Sequence, residues 1–147
     1  MNYHAITENN FNEWLAMGLA LWPRHQKEEL EKEFRNILAS KNNKVIIGED
    51  KNGHAVAFIN LSLRFEYVQG VSSSPVAYVE GIYVKPEYRE QGIARELIMM
   101  AETWAKGKNC QELGSDAELT NVDSQKFHEK LGFSKIKTIV HYLKKVK

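Results

Sequence analysis

A short basic loop between a predicted strand and a predicted helix carries the residues best suited to bind an anion. The strand covers 77–84, is rich in β-branched and aromatic residues, and stops before Pro86. The helix repeats apolar residues at helical spacing from Ile93 onward and ends at Gly107. Because the first N–H groups of a helix lack intrahelical partners, the sequence predicts a phosphate-binding loop at 89–94.

Each residue type in this loop suits a phosphate in a different way. Gly92 lets the backbone approach an anion without a Cβ in between, and small Ala94 does nearly the same one residue inside the helix. Arg89 adds a charge-assisted contact. The residues expected at the anion are Arg89, Glu90, Gln91, Gly92, Ile93 and Ala94.

The spacing of these loop residues matches one known phosphate loop and excludes two others. A Walker loop needs Gly-Lys-Ser/Thr and a Rossmann fingerprint needs three spaced glycines, and the loop has Gly92 alone. The pattern Arg89-x-x-Gly92-x-Ala94 resembles the coenzyme A pyrophosphate loop of the GNAT family of N-acetyltransferases. This resemblance implies acetyl-CoA as co-substrate and no metal. The pantetheine arm would pair, like an added strand, with Ile82, Tyr83 and Val84.

A second segment resembles the GNAT sequence beside the coenzyme thiol and pantetheine. It reads Asn121-x-x-Ser124-x-x-x-His128-x-x-x-Gly132-Phe133. The resemblance places Asn121 and His128 at the coenzyme. His128 stands where the family often has a general-acid tyrosine, so three alternatives stay open. His128 protonates the leaving thiolate, the substrate ammonium does so, or His128 is a packed helix residue.

The order of predicted elements is typical of a mixed α/β fold. An Asn-Gly pair at 52–53 between two apolar runs indicates a hairpin. Strands are predicted at 3–6, 45–48, 55–65, 77–84 and 112–117, helices from 11, 26, 93 and 121, and a final hairpin over 133–146. We therefore expect one domain over 1–147, an α/β (α+β) GNAT acyl-CoA N-acyltransferase fold whose mixed, mostly antiparallel sheet is flanked by helices.

Composition narrows the classes of function. The 147 residues carry a formal net charge of +1, which gives no bulk attraction to nucleic acid. No apolar run approaches membrane-spanning length, and the N-terminus lacks a signal-peptide core. The single cysteine, Cys110, excludes an internal disulfide and a cysteine-based zinc site. We expect a cytoplasmic protein that binds neither nucleic acid nor membranes.

Resemblance to one subclass covers nearly the whole chain. The matching segments are Leu-Trp-Pro near residue 22, 64–70, 73–76, 80–84 and Ser115-Asp116. They resemble the aminoglycoside 6'-N-acetyltransferases, in the branch known from Acinetobacter and Salmonella chromosomes. The resemblance implies a homodimer and a cationic amine as acceptor. It places at the acceptor Trp22, His25, Tyr67, Glu80 and Asp116.

The chemistry of these residues suits a polycation. Glu80 and Asp116 supply negative charge, while Trp22 and Tyr67 offer aromatic faces. We expect direct acetyl transfer, with Glu80 as general base (alone or through a water) and Asp116 lowering the cost of holding the cation. Backbone N–H groups near Ile82, where the predicted strand splays from the next one, would stabilise the negative charge that develops on the thioester oxygen. Glu66 is a weaker candidate that would otherwise pair with Arg64.

One departure from the subclass leaves the acceptor open. Lys137 stands where branch relatives carry a drug-binding glutamate, and a lysine repels a cationic substrate. The alternatives are a GNAT enzyme acting on a polyamine, a small metabolite or a protein amine, and a non-catalytic acyl-CoA sensor. A sensor should lack acids near the thioester, and Glu80 and Asp116 are both present.

Overall fold

The structure, a computed structural model, describes residues 1–66, 68, 70, 71 and 75–146. Tyr67, one of the predicted acceptor-site residues, lies outside the described residues. The chain divides into two compact units, Met1–Ser115 and Asp116–Lys147, and each is described by itself. The expectation of a single domain over 1–147 stays a prediction.

The first unit is built on a five-stranded sheet in the order β1-β2-β3-β4-β5. The first four strands pair antiparallel, and β5 pairs parallel to β4, as the sequence predicted for a mixed, mostly antiparallel sheet. The strand predicted at 112–117 is shorter in the structure. The elements are β1 (Asn2–Ala5), α1 (Phe11–Leu21), α2 (Lys27–Ala39), β2 (Asn43–Glu49), β3 (Ala55–Arg64), β4 (Val76–Val84), α3 (Ile93–Gly107) and β5 (Leu113–Gly114).

Helices α1 and α2 pack on one face of the sheet through large aromatic residues. Trp14 and Phe34 stack with ring centroids 3.9 Å apart, and both are buried. The Trp14 indole N–H donates to the buried Asn60 side-chain oxygen at 3.0 Å. Because a buried indole N–H without a partner is costly, this bond ties α1 to β3 in one orientation. The face of β3 that carries Asn60 is therefore the face under α1.

A β-bulge interrupts the ladder between β3 and β4 at Glu80. Asn60 lies opposite Gly81 and Leu61 lies opposite Val79, so Glu80 has no residue of its own opposite it on β3. An inserted residue of this kind bends the strand and redirects the side chains around it. Bulges of this kind are common next to active sites.

Because of the bulge, Tyr78 and Gly81 both point to the face of the sheet under α1. Tyr78 lies opposite Ser62 and Gly81 lies opposite Asn60. Directly opposite residues point to the same face, and Asn60 and Ser62 share a face because they are two positions apart. In a regular strand Tyr78 and Gly81, three positions apart, would face opposite sides.

Among its described residues, the second unit contains one helix, α4 (Val122–Lys130), followed by a segment without regular secondary structure. The Asn121 side chain accepts a hydrogen bond from the Ser124 backbone N–H at 3.0 Å and so caps α4. The predicted hairpin over 133–146 is wrong, because none of these residues forms a strand. A lone hairpin is marginal without a surface to cover its apolar side chains. The large apolar residues that are exposed within 133–146 are Ile136, Ile139, Val140, Tyr142, Leu143 and Val146.

None of the described helices is both long enough and apolar enough to span a bilayer.

Candidate active site

The Glu80 carboxylate is held by two residues of the neighbouring strand β3. The Arg64 guanidinium donates from Nη2 to Oε1 at 2.8 Å and from Nε to Oε2 at 3.0 Å. The Ser62 hydroxyl also donates to Oε2. The Arg64 guanidinium carbon lies 3.4 Å from the centroid of the Tyr78 ring, so the arginine is stacked as well as paired. These contacts define the orientation of the carboxylate.

These contacts set the charge of Glu80. Burial raises the pKa of the Glu80 carboxyl, but the hydrogen bonds from Arg64 and Ser62, with the positive charge of Arg64, outweigh it and hold the pKa below its usual range. Glu80 is therefore ionised at neutral pH. The pKa of the Glu80 carboxyl is lower in the folded state than in the unfolded state. The contacts of the ionised carboxylate therefore stabilise the fold at neutral pH, and this stabilisation is lost as pH falls through the folded-state pKa.

Trp22 lies directly against the strand residue that follows Glu80. A Cβ built on Gly81 would lie 2.5 Å from the Trp22 ring, closer than any real contact. The ring is half-buried, with centroids 6.3 Å from Phe34 and 6.2 Å from Phe58. Trp22 thus packs against the core and also against Gly81, the residue that follows Glu80 in β4. Gly81 is what allows this close approach.

His25 lies next to Trp22 in the first unit, with its ring centroid 6.4 Å from that of Trp22. Its backbone N–H donates to the Trp22 carbonyl at 3.1 Å, and its Nε2 lies 4.0 Å from carboxylate oxygens of Glu29 and Glu33. The three ligand atoms lie within 4.8 Å of one another. Exposed acidic groups gather without an ion in many proteins, so we assign no metal site to them. The cluster does place negative charge next to Trp22.

The predicted phosphate-binding loop has the backbone that an anion site requires. Gly92 is the N-cap of α3 with φ of +84°, and Glu90 also has a left-handed φ of +62°. The first bond of the helix joins the Glu96 N–H to the Gly92 carbonyl at 3.0 Å, so the N–H groups just before Glu96 are outside the helical ladder. A Cβ on Gly92 would meet no atom within 4 Å. The space in front of this helix end is therefore open to a ligand.

Two side chains anchor this loop to the sheet. Arg89 Nε donates to the Val84 carbonyl at 2.8 Å, and the Tyr88 hydroxyl donates to Asp50 Oδ2 at 3.0 Å. The Arg89 contact occupies one nitrogen of the guanidinium, and the fork offers further donors to an anion. The loop residues 89–92 are exposed. Their contacts with phosphate stay a prediction.

The C-terminal half of β4 offers an edge on which an extended ligand fits. β5 pairs with β4 at Ala77 and Tyr78. From Val79 to Val84, the ladder partner of β4 within the described sheet is β3 on the other side. This segment includes the residues predicted to pair with pantetheine, Ile82, Tyr83 and Val84.

The remaining predicted site residues belong to the second unit. Asp116 is its first residue and is exposed. His128 is half-buried, and its Nδ1 lies 2.6 Å from the Ser124 carbonyl. A carbonyl accepts only, so Nδ1 carries a proton and Nε2 of the neutral ring is the acceptor. The first unit thus brings Glu80, Trp22 and His25 to one side, while the placement of Asp116 and His128 beside them stays a prediction.

The contacts of Ser62 and Arg64 with Glu80 are not predicted from the sequence. Proximity in the sequence favours Glu66 as a partner of Arg64, and the structure pairs Arg64 with Glu80. A signal was present: Asn60, Ser62 and Arg64 place polar side chains at a period of two in an otherwise apolar strand. Such a row on a buried strand indicates a partner across the sheet.

This chain matches a known protein family and is similar over most of its length to known proteins. The model of the "Acetyltransferase (GNAT) family" matches residues 8–133. The Aminoglycoside N(6')-acetyltransferase type 1 of Serratia marcescens is 43% identical over 136 residues, covering 92% of this chain and 93% of that protein.

Solved structures of similar proteins confirm the predicted GNAT fold. The aminoglycoside antibiotic 6'-N-acetyltransferase AAC(6')-IG from Acinetobacter haemolyticus has a TM-score of 0.93 at 37% identity, with 100% of both chains covered. AAC(6')-Iy in complex with the bisubstrate analog CoA-S-monomethyl-acetylneamine has a TM-score of 0.92 at 32% identity, covering 99% of this chain and 98% of that chain.

Replacing Gly81 with alanine should displace Trp22. The added Cβ would overlap the ring, and overpacking of this kind lowers the free energy of unfolding by about 1–3 kcal/mol. The indole N–H resonance of Trp22, assigned with Trp22→Phe, should shift in a ¹⁵N–¹H spectrum. Gly107→Ala is the matched control, because a Cβ there meets no atom within 4 Å. An unchanged Trp22 resonance and unchanged stability in Gly81→Ala would contradict this account of the contact.

Proposed function

The chain belongs to the GNAT family of acetyltransferases, and from this premise we propose that it is an aminoglycoside 6'-N-acetyltransferase. It transfers the acetyl group of acetyl-CoA to the 6'-amine of aminoglycoside antibiotics and so confers resistance to them. One observation carries the choice of acceptor. The ionised Glu80 carboxylate is held on β4 next to Gly81, the residue against which Trp22 packs, in a chain whose similar proteins are named for aminoglycosides.

The acceptor side of the site matches an aminoglycoside in charge and shape. These drugs carry several ammonium groups on sugar rings. Glu80 attracts an ammonium, and the face of Trp22 offers a surface for a ring or for a cation–π contact. Glu29 and Glu33 add negative charge on the side of His25. Tyr67 and Asp116 retain the acceptor roles that the sequence predicts for them.

The reaction needs an amine with a free lone pair. Acetyl-CoA supplies the activated acetyl group as a thioester. Glu80 holds the acceptor ammonium and takes up its proton, directly or through a water, because it is ionised at neutral pH. The neutral amine then forms a bond to the thioester carbon, the C–S bond breaks, and the departing thiolate takes a proton from the substrate nitrogen, which is an ammonium again after the attack, or from His128. Because His128 Nδ1 donates to the Ser124 carbonyl, only the imidazolium form of His128 has an Nε2 proton to give.

The coenzyme side is formed by the open helix end and the open strand edge. The N–H groups at the start of α3 bind the pyrophosphate, and Arg89 adds a charge-assisted contact. The edge of β4 from Ile82 to Val84 pairs with the pantetheine arm. Asn121 and His128 complete the coenzyme site as the second predicted motif.

We propose further that the protein acts as a homodimer in the cytoplasm. The apolar residues exposed between 136 and 146 would be covered by a second copy of the chain. Acetyl-CoA is a cytoplasmic metabolite, which places the reaction in that compartment.

Acetyl transfer to a panel of amines tests the acceptor. Thiol release from acetyl-CoA should be rapid with tobramycin and kanamycin and slow with spermidine and a peptide amine. Glu80→Gln should lower kcat/KM by about 10²- to 10⁴-fold, because it removes the group that receives the proton. Glu31→Gln, an exposed acid on α2, is the matched control and should keep wild-type rates.

The panel also has outcomes that overturn the proposal. Turnover of spermidine or the peptide alone would assign a polyamine or a protein amine as acceptor. Tight acetyl-CoA binding with no turnover of any amine would favour an acyl-CoA sensor.

Gly92→Ala should weaken coenzyme binding selectively. The Cβ would enter the open space at the helix end, and the left-handed backbone adds strain of about 1–2 kcal/mol. We expect the Kd for coenzyme A, measured by calorimetry, to rise about tenfold or more. Gly53→Ala is the control for backbone strain, because Gly53 has φ of +81° in the β2–β3 turn. Equal Kd values in the two variants would contradict the coenzyme site.

Leu143→Asp should convert the dimer to a monomer in sedimentation equilibrium. The Leu143 side chain is 88% exposed, and a carboxylate there would be buried at the interface at high cost. Met99→Asp on α3, at a residue 59% exposed, is the matched control and should leave the dimer intact. A wild-type monomer, or a dimer unaffected by Leu143→Asp, would refute this interface.

A further inference from the structure

The two oxygens of the Glu80 carboxylate differ in how many donors they already have. Oε2 accepts from the Ser62 hydroxyl and from Arg64 Nε, while Oε1 accepts from Arg64 Nη2 alone. Each carboxylate oxygen offers about two acceptor positions. Within the described structure, Oε2 is therefore saturated and Oε1 keeps one position for a further donor.

The residues that hold Glu80 are themselves held by the sheet. Ser62 is buried and lies two residues before Arg64 on β3. The Arg64 guanidinium is stacked over Tyr78 of β4, and its planar fork makes two bonds to one carboxylate. A bidentate pair restricts rotation of the carboxylate in a way that a single point charge does not. The vacant position of Oε1 is thus presented in one direction.

We propose that Ser62 and Arg64 are positioning residues that orient Glu80 so that Oε1 receives the acceptor ammonium. The assignment rests on the proposed function, since it names the atom of Glu80 that meets the amine. Arg64 does not compete with the substrate, because it uses Oε2 and one position of Oε1 and leaves the other position open. Neither residue was assigned a role at the site by the sequence.

Arg64 also controls the ionisation of Glu80. Among the described residues, Arg64 from β3 is the charged group that acts on the Glu80 carboxyl, and Ser62 acts on it through a hydrogen bond. The other neighbours are aromatic rings: Tyr78 on β4 stacks under the Arg64 guanidinium, and Trp22 from the end of α1 packs against Gly81. Without Arg64 the effect of burial remains, and burial raises the pKa of a carboxyl group.

The test measures position and ionisation separately. Arg64→Lys retains a charge but loses the fork, so kcat for tobramycin should fall about 10- to 100-fold while the acid limb of the pH profile stays in place. Arg64→Gln loses both, so the acid limb of kcat/KM should move to higher pH. The Glu80 carboxyl pKa is read independently by ¹³C NMR titration, with the resonance assigned by its loss in Glu80→Gln.

A matched control separates positioning from stability. Arg35 also pairs with a glutamate, Glu8, and stacks on an aromatic ring, with its guanidinium carbon 3.6 Å from the Phe11 centroid. Arg35→Gln should change thermal stability and leave both the pH profile and the Glu80 titration unmoved. Ser62→Ala removes one donor from Oε2 and should lower kcat with little change in KM.

The outcomes distinguish this inference from the proposed function. If Arg64→Lys and Ser62→Ala both keep wild-type kcat, the positioning role is wrong even if the drugs are acetylated. If Arg64→Gln leaves the acid limb and the Glu80 titration where the wild type has them, control of the ionisation by Arg64 is refuted. If no drug is acetylated, the proposed function fails, while the NMR titration still reports the pairing. If Arg64→Gln does not fold, Arg64→Lys and Ser62→Ala decide, and wild-type kcat in both refutes the inference.

Discussion

The β-bulge at Glu80 is the constraint on which the rest of the site depends. One extra residue in β4 turns Gly81 to the same face as Tyr78. The Glu80–Arg64 ion pair and the contact between Gly81 and Trp22 therefore lie on one side of the sheet. In a regular ladder Gly81 would point to the opposite face, and Trp22 would have nowhere to lie against the strand. The bulge therefore joins the acidic and aromatic parts of the proposed acceptor site.

The ion pair between Glu80 and Arg64 keeps a partly buried carboxylate ionised. Burial alone would favour the neutral acid, and an acid without its charge would neither attract a polycation nor receive a proton. Arg64 and Ser62 offset that penalty through hydrogen bonds while leaving one acceptor position open. The contacts that stabilise the charged form of Glu80 are thus the same ones that its proposed function requires.

Local patterns in the sequence predicted most of the first unit. Apolar spacing identified α1, α2 and α3, the Asn-Gly turn identified the β2–β3 hairpin, and Gly92 marked the helix end. These features depend on residues close together in the chain. The family was also recognisable, because its two motifs are short and contiguous.

What the sequence did not predict depends on pairing between distant residues. The bulge is a property of the register between β3 and β4, and the pairing of Arg64 with Glu80 across 16 positions follows from that register. Sequence proximity instead suggested Glu66. The hairpin expected over 133–146 failed for a related reason, because alternating apolar residues form a strand only where a surface covers them.

A crystal structure of the ternary complex with coenzyme A and tobramycin tests the account most directly. The account predicts the 6'-ammonium nitrogen at hydrogen-bond distance, about 2.7–3.2 Å, from Glu80 Oε1, directly or through one bound water, with Arg64 still paired to the carboxylate. A 6'-amine that meets a different carboxylate, or an Arg64 displaced from Glu80 by the drug, would contradict it.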